Sequence, residues 1–340
     1  MLPSMYSGIS GLKVNQQKLD VVGNNIANSG TTAFKSQRIR FQDMISTNIS
    51  QAVGPGANTG GVNGRQIGLG VQVGGIDTNT ATGNMQPTSR NLDVGIDKAG
   101  YFMVAKGVLG DNAKLALTDN QGIDATQESS LSTYFTRDGS FTLDSKGNLL
   151  NSDGYRVLGY TVGSAKINYN AEDPSLQASI EFQDANAAGL AASKDDGLVP
   201  LVIPDSVGSD PATAKRIRSF SIEKNGLIKA VLSDGSVAAL GQIAMASFKN
   251  DAGLQKAGKN LYENSANSGE PIVRTGLGTE AAAANDKGYG DMLQGMLEMS
   301  NVDLAEQFTD MIIASRAFQA NGKIISTGDE ILQDLVNLKR

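Results

Sequence analysis

The chain has 340 residues and a formal net charge of −6, and it contains no cysteine, histidine or tryptophan. Those absences exclude thiol chemistry, disulfides, serine–histidine dyads, histidine general bases and the usual zinc sites, and the acidic balance argues against nucleic-acid or anionic-membrane partners. Hydrophobic residues make up 40 % of the chain, enough for real cores in two or three domains, and 40 glycines favour turn-rich β structure.

The first predicted element is a helix. Met5, Ile9, Leu12, Gln16, Leu19 and Ile26 step by four and three, with Val22 beside the gap at Gly23. That stagger is the seam of a helix packed lengthwise against another helix. Pro3 suits a helix start, Ser4 is a candidate cap, and Asn28-Ser29-Gly30 is a stop signal. An amphipathic helix in an ordinary core would show the same spacing. Against that reading, Gly8, Gly11 and Gly23 lie inside the helix, each costing about 1 kcal/mol against alanine. Many copies packed side by side would offset the loss, because small residues let backbones approach closely. The opening MLPSMYSGISGLK lacks the basic segment, apolar run and cleavage site of a secretory signal. No apolar run approaches the roughly 20 residues of a membrane span, so the residues alone point to the cytoplasm.

Residues 36–65 contain Val53-Gly54-Pro55-Gly56-Ala57-Asn58-Thr59-Gly60-Gly61, too rich in glycine for regular structure, and are expected to form a linker or extended arm. From Gln66 the pattern turns to period two, with Ile67, Leu69, Val71, Val73 and Ile76 marking a strand. A split β domain is expected over 66–160 and 215–289, with a buried strand at Tyr101-Phe102-Met103-Val104 and a turn at Asp138-Gly139. Between its halves, 161–214 is rich in Ala and Asp, carries Pro200, Pro204 and Pro211, and is expected to be a small inserted outer module.

The last fifty residues carry the longest pattern. Leu304, Phe308, Met311, Ser315, Phe318, Gly322, Ile325, Asp329, Leu332 and Val336 repeat the four–three stagger. Ser315, Gly322 and Asp329 break the apolar rule, so the seam suits no free-standing coiled coil. Ser300 and Asn301 offer caps, Asp303 and Glu306 complement the dipole at one end, and Lys339 and Arg340 complement it at the other. One helix of roughly 55 Å at about 1.5 Å per residue is expected, and its partner is the N-terminal helix. The fold class is therefore mixed α and β: long terminal helices (1–35 and 290–340) forming a coiled-coil-like inner domain, plus mainly-β outer domains.

Candidate chemistry is sparse. Gly253-Leu254-Gln255-Lys256-Ala257-Gly258-Lys259-Asn260 has the glycine and lysine spacing of a phosphate loop, but Asn260 stands where a hydroxyl must meet magnesium. No apolar-periodic helix follows, so a turn is expected instead. Asp144-Ser145-Lys146-Gly147-Asn148 lacks the further acidic ligands of a calcium loop and reads as a hairpin turn. Asp93 and Asp97 share one face of an extended segment, and a solvated strand face is expected over a glycosidase pair. No catalytic, cofactor or metal residue is assigned.

Several segments together resemble bacterial flagellar rod and hook proteins. These are Met5-Tyr6-Ser7-Gly8-Ile9-Ser10-Gly11-Leu12, Asn24-Asn25-Ile26-Ala27-Asn28, Gly30-Thr31-Thr32-Ala33-Phe34-Lys35 and Gln66-Ile67-Gly68-Leu69-Gly70-Val71. Gly83-Asn84-Met85-Gln86-Pro87-Thr88, Phe135-Thr136-Arg137-Asp138-Gly139-Ser140-Phe141 and Ser315-Arg316-Ala317-Phe318-Gln319-Ala320-Asn321 extend the likeness. It covers most of 1–160 and 218–340, leaves out 161–214 and is poor over 107–130. The resemblance implies a structural subunit, not an enzyme, exported by the flagellar type III apparatus without a cleaved signal. That would place it outside the cell in the hook or basal body. It implies self-assembly into a homopolymer with terminal helices lining the inner tube. It also implies contact with the distal rod, hook cap, hook–filament junction and hook-length control proteins, without nucleic acid or membrane insertion. Within the family, length and the inserted segment favour the hook subunit, a curved universal joint, over the shorter distal rod subunit. A secreted β-scaffold adhesin or enzyme is the alternative of a different class. The expected assembly seam is Met5, Ile9, Leu12, Leu19, Ile26, Leu304, Phe308, Met311, Phe318, Ile325, Leu332 and Val336.

Overall fold

A computed structural model describes residues 2–56, 60–108, 114–117, 122–123, 130–163, 165–169, 178–187, 190–193, 197–208, 214–274 and 290–338. The chain divides into two compact units. One comprises Met1–Gly30, Lys35–Asn79 and Asn301–Arg340, and the other Thr31–Phe34 and Thr80–Ser300. The fold is mixed α and β, mostly β by element, with one helix near each end of the chain.

In the first unit, helix α1 (Leu2–Ala27) packs antiparallel on helix α2 (Leu304–Asn337). Two of the three glycines in α1 explain themselves here. A Cβ on Gly8 would lie 3.3 Å from Ile325 Cγ1, and one on Gly11 would lie 2.7 Å from Asn321 Nδ2. Their helix-propensity cost is thus offset by close approach within the chain. Gly23 meets nothing within 4 Å. The start of α2 is set by Asp303, whose side chain accepts from the amides of Ala305 and Glu306. This corrects the expected Ser300 or Asn301 cap. Helix α1 likewise begins at Leu2, ahead of the cap expected at Ser4. Lys339 and Arg340 lie outside the described residues.

The arm is an antiparallel ribbon. Strand β1 (Gln37–Asp43) pairs with β4 (Val71–Thr78), and β2 (Ser46–Ser50) pairs with β3 (Arg65–Gly68). Ile39 faces Ile76, Thr47 faces Ile67, and an isolated bridge joins Val53 to Val62. The extended-arm expectation for 36–65 therefore needs its second strand from 66–79, which belongs to this unit and not to the β domain. A two-stranded ribbon is marginal alone, and α1 packs against β1 and β4 to support it.

The second unit is built on a large antiparallel sheet. Its path runs Ser206–Val207, Lys215–Ile222, Leu227–Leu232, Val237–Ile243, Arg156–Tyr160, Tyr101–Gly107, Leu131–Thr136, Leu261–Glu263 and Gln255–Gly258. The strand Tyr101–Gly107 is buried on both faces over Tyr101–Ala105. Phe102 and Val104 join one core with Phe141, Leu149 and Ile228, while Tyr101, Met103 and Ala105 join another with Phe135, Leu158 and Phe248. Period-two alternation makes one strand serve two cores.

The described residues of 161–214, expected as a small inserted outer module, contribute to the cores of the second unit. Leu201, Ile203 and Val207 share a core with Phe102 and Val104, Leu198 joins the other, and Val199–Pro200 pairs with Arg156–Tyr160. Residues 290–300 also differ from expectation. Met292–Gln294 pairs with Val94–Ile96, and Met296–Glu298 pairs with Met85–Pro87, so the strands continue almost to α2. The phosphate-loop look-alike is a hairpin turning through positive φ at Gly258, Lys259 and Asn260. Asp144 spends its carboxylate on the amides of Lys146 and Asn148 and on the Asn148 side chain, as a turn requires. Asp93 is buried and Asp97 exposed, so the two do not share a solvated face.

A charged hub holds the second unit. Arg137 Nε donates to Glu298 Oε2 at 2.8 Å, Nη1 donates to the carbonyls of Lys98 and Gly100, and Nη2 donates to that of Ile96. Glu298 Oε1 accepts from the Gly83 amide at 2.9 Å. Both side chains are buried. The Arg137 guanidinium also lies over the Tyr101 ring. Burial pushes the Tyr262 phenol up to about 12 and that of Tyr101 higher still.

Gly139 offers a sharp packing test. A Cβ there would overlap the Val94 carbonyl oxygen, which is backbone and cannot swing away. Gly139→Ala is expected to lower stability by about 1–3 kcal/mol. Gly322, with nothing within 4 Å, should tolerate alanine and gain up to about 1 kcal/mol of helix propensity. Urea unfolding of the two variants checks the contrast, and equal midpoints would contradict it.

Candidate assembly interface

The sequence seam is only partly the contact between the two helices. In α1 the buried positions are Gly8, Gly11, Val14, Val22 and Asn25, mostly one residue away from the expected Ile9, Leu12 and Ile26. One residue turns a helix by about 100°, so the contact stripe lies on a neighbouring face. Met5 sits against Gly328, Leu12, Leu19 and Ile26 are half-buried, and Ile9 is exposed. In α2, Ala314 is buried and Met311, Ile325 and Leu332 are half-buried, whereas Leu304, Phe308, Phe318 and Val336 are exposed. The structure thus half-buries seven of the twelve expected seam residues and leaves the other five exposed.

The outward residues form two flanks. Leu304, Phe308 and Ile312 follow one line along the N-terminal half of α2, and Phe308 and Ile312 are 50 % and 61 % exposed. Ile313, Ile324 and Ile331, also exposed, follow a second line reaching into the C-terminal half. That second line borders a groove of about 480 Å³ formed by Ser4, Ala320, Lys323, Ile324, Thr327, Gly328 and Ile331. So much exposed apolar surface on one helix marks an interaction face.

Polar residues fix this surface to the ribbon. Asn25 Nδ2 donates to the Gln37 carbonyl at 2.8 Å and to Gln307 Oε1 at 2.9 Å, and its Oδ1 accepts from the Gln37 amide. Asn301 Oδ1 accepts from the Ser36 amide, and its Nδ2 donates to the Asn79 carbonyl. The two asparagines therefore clamp the root of the ribbon to the helix pair. Lys18 and Asp310 add an ion pair at 2.9 Å. Sequence reading missed this clamp: Asn301 looked like a helix cap, and the buried position of Asn25 was hidden beside the apolar Ile26. It also missed Ile312, Ile313, Ile324 and Ile331, because a search for one seam passes over residues on adjacent faces.

Relatives match the chain over its whole length. The flagellar basal-body rod protein FlgG of Bacillus subtilis (strain 168) is 40 % identical over 343 residues, covering all of both chains. The chain belongs to the flagellar hook and basal-body rod protein family. Three family models fit it: "Flagella basal body rod protein" over 5–35, "Flagellar hook protein FlgE/F/G D1 domain" over 124–230, and "Flagellar basal body rod FlgEFG protein C-terminal" over 293–338. Among other hook and rod relatives, the hook protein FlgE of Borreliella burgdorferi is 29 % identical over 460 residues, with both chains fully covered. The rod protein FlgG of the same organism is 30 % identical over 342 residues, again with full coverage. The D1 model of this hook and rod family runs straight through 161–214, in keeping with the core residues that segment contributes. The two terminal models cover most of α1 and all of α2, the helix that carries the exposed flanks.

Proposed function

We propose that this chain is a structural subunit of the flagellar axis that polymerises into a tube through α1 and α2, with the β unit as an outer layer. Our first reading is the hook, the curved joint between motor and filament, and the role is mechanical and not catalytic. The observation that supports it is the pair of exposed apolar flanks on α2. A lone subunit gains nothing from leaving Phe308, Ile312, Ile324 and Ile331 in water, and burying each is worth about 1.5–3 kcal/mol. The partners that follow are further copies of this chain, then the distal rod, cap, junction and length-control proteins at the ends of the tube. The type III export apparatus would deliver it outside the cell. Assembly on membrane or nucleic acid is not part of this reading.

A second reading, the distal rod, is favoured by length. The alignment to rod proteins needs 342 or 343 positions for a chain of 340 residues, whereas the hook alignment stretches over 460. Electron microscopy of concentrated protein separates the outcomes. Long curved tubes support the hook, short straight segments of fixed length support the rod, and no polymer at any concentration sinks both.

The free subunit has a further signature. With its apolar flanks uncovered, the helical unit should open locally far more easily than the β unit. Limited proteolysis of dilute protein is expected to trim both ends and leave a core near 80–300, while polymer resists. Equal resistance of the termini in dilute protein would count against the proposal.

A further inference from the structure

The two flanks of α2 differ in where they are apolar, and that difference selects a register. Along the line through Leu304, Phe308 and Ile312, the next residues toward the C-terminus are Ser315, Gln319 and Ser326, so apolar character is confined to the N-terminal half. Along the line through Ile324 and Ile331, the corresponding N-terminal positions are Glu306 and Thr309, and only Ile313 carries the apolar surface forward. At 100° per residue, Phe308 and Ile331 are roughly 140° apart around the helix. The stripe that meets α1, through Ala314, Asn321 and Ile325, lies on the opposite side of the helix, roughly 100–120° from each flank. Each copy therefore carries an apolar knob on one side near one end and an apolar groove on the other side near the other end.

We infer that the occupant of the groove at Ser4, Ala320, Ile324, Thr327, Gly328 and Ile331 is the Leu304–Phe308–Ile312 knob of a second copy. This deepens the tube proposal and rests on it. Two copies side by side without an offset would set Phe308 against Glu306 and Thr309, with Ile313 the one apolar residue of the facing line at that height. Sliding one copy along the other matches knob to groove. Phe308 and Thr327 lie about 29 Å apart along the helix at 1.5 Å per residue, so neighbours are staggered by about that distance. The small side chains at Ser4, Ala320 and Gly328 leave the space that a phenylalanine ring needs. The contact is heterologous, using different surfaces on the two copies, so each addition leaves one knob and one groove free and growth is open-ended. A few side chains on one helix fall short of the roughly 800 Å² per partner of a stable pairwise interface. A pair is therefore weak, and a row in which every interior copy uses both flanks is stable.

The chain contains no cysteine, so introduced pairs report without background. Full-length Phe308→Cys and Thr327→Cys variants are mixed under assembly conditions and oxidised. The expected result is disulfide dimers between the two variants in the mixture and none in either variant alone. The double variant should give a ladder of oligomers, and an Arg316→Cys/Thr327→Cys control should give none. Dimers of Phe308→Cys with itself would show a symmetric contact and overturn the inference. Tubes that form normally without the mixed cross-link would overturn the register while leaving the tube proposal standing. Failure of the unmodified chain to form any polymer would overturn both.

Discussion

Arg137→Ala is expected to cost the β unit about 3–5 kcal/mol, the scale for leaving one partner of a buried ion pair alone. The variant strands the Glu298 carboxylate in the core, still accepting from the Gly83 amide but without its cation. It also removes the donors that hold the carbonyls of Ile96, Lys98 and Gly100, a stretch where Lys98 and Gly100 both have positive φ. Those backbone groups have few substitutes for the guanidinium. Three segments of one unit meet at this pair: the segment at Gly83, the turn at Lys98–Gly100 and the strand ending at Glu298. Denaturant unfolding followed by near-ultraviolet circular dichroism of the tyrosines would measure the loss, since Tyr101 lies under the guanidinium. Glu298→Ala should be similarly severe. Arg137→Met with Glu298→Met should lose less than the sum of the two single changes, because neither charge is then buried alone. A double variant as costly as that sum would mean that the carbonyl contacts, and not the charge pairing, carry the hub.

Phe308→Asp should separate folding from assembly. The side chain is half exposed in the subunit, so its replacement is expected to leave the stability of the β unit unchanged and that of the whole chain within about 0.5 kcal/mol. In the tube the same position would carry a buried phenylalanine, worth about 1.5–3 kcal/mol, and the aspartate would add an unpaired charge. At about 1.4 kcal/mol per factor of ten, the concentration needed for polymerisation should rise at least 10–100-fold. Phe318→Asp makes a useful companion. Phe318 is 38 % exposed on the edge of the stripe facing α1, so this change should weaken the helix pair as well as the polymer. Sedimentation of polymer across a concentration series reads both effects. Normal assembly of Phe308→Asp at unchanged concentration would show that this flank is not an interface.

The sequence alone established that a long helix lies at each end of the described chain, that the middle is β, and which family the chain resembles. Each rests on a local signal: heptad spacing, period-two alternation, glycine-rich turns and short motifs that survive without knowledge of contacts. The buried strand at Tyr101 was legible for the same reason, since an unbroken apolar run leaves little choice of environment. Which face of each helix is covered was decided only in the tertiary structure. Hydrophobic spacing marks apolar positions but does not say which belong to the chain's own partner and which to another molecule. Gly8 and Gly11, where α2 comes close enough to crowd a Cβ, carry no hydrophobic signal at all. A polar residue such as Asn25 enters the core only because Gln37 and Gln307 arrive there to satisfy it. The segment 161–214 looked detachable because its apolar residues are thinly spread. Leu198, Leu201, Ile203 and Val207 nevertheless complete cores that begin far away in the chain. Arg137 shows the same limit: its motif was visible, but its partner lies 161 residues further on. Local propensity depends on neighbours in sequence, whereas burial and pairing depend on neighbours in space, and only the folded chain brings these together.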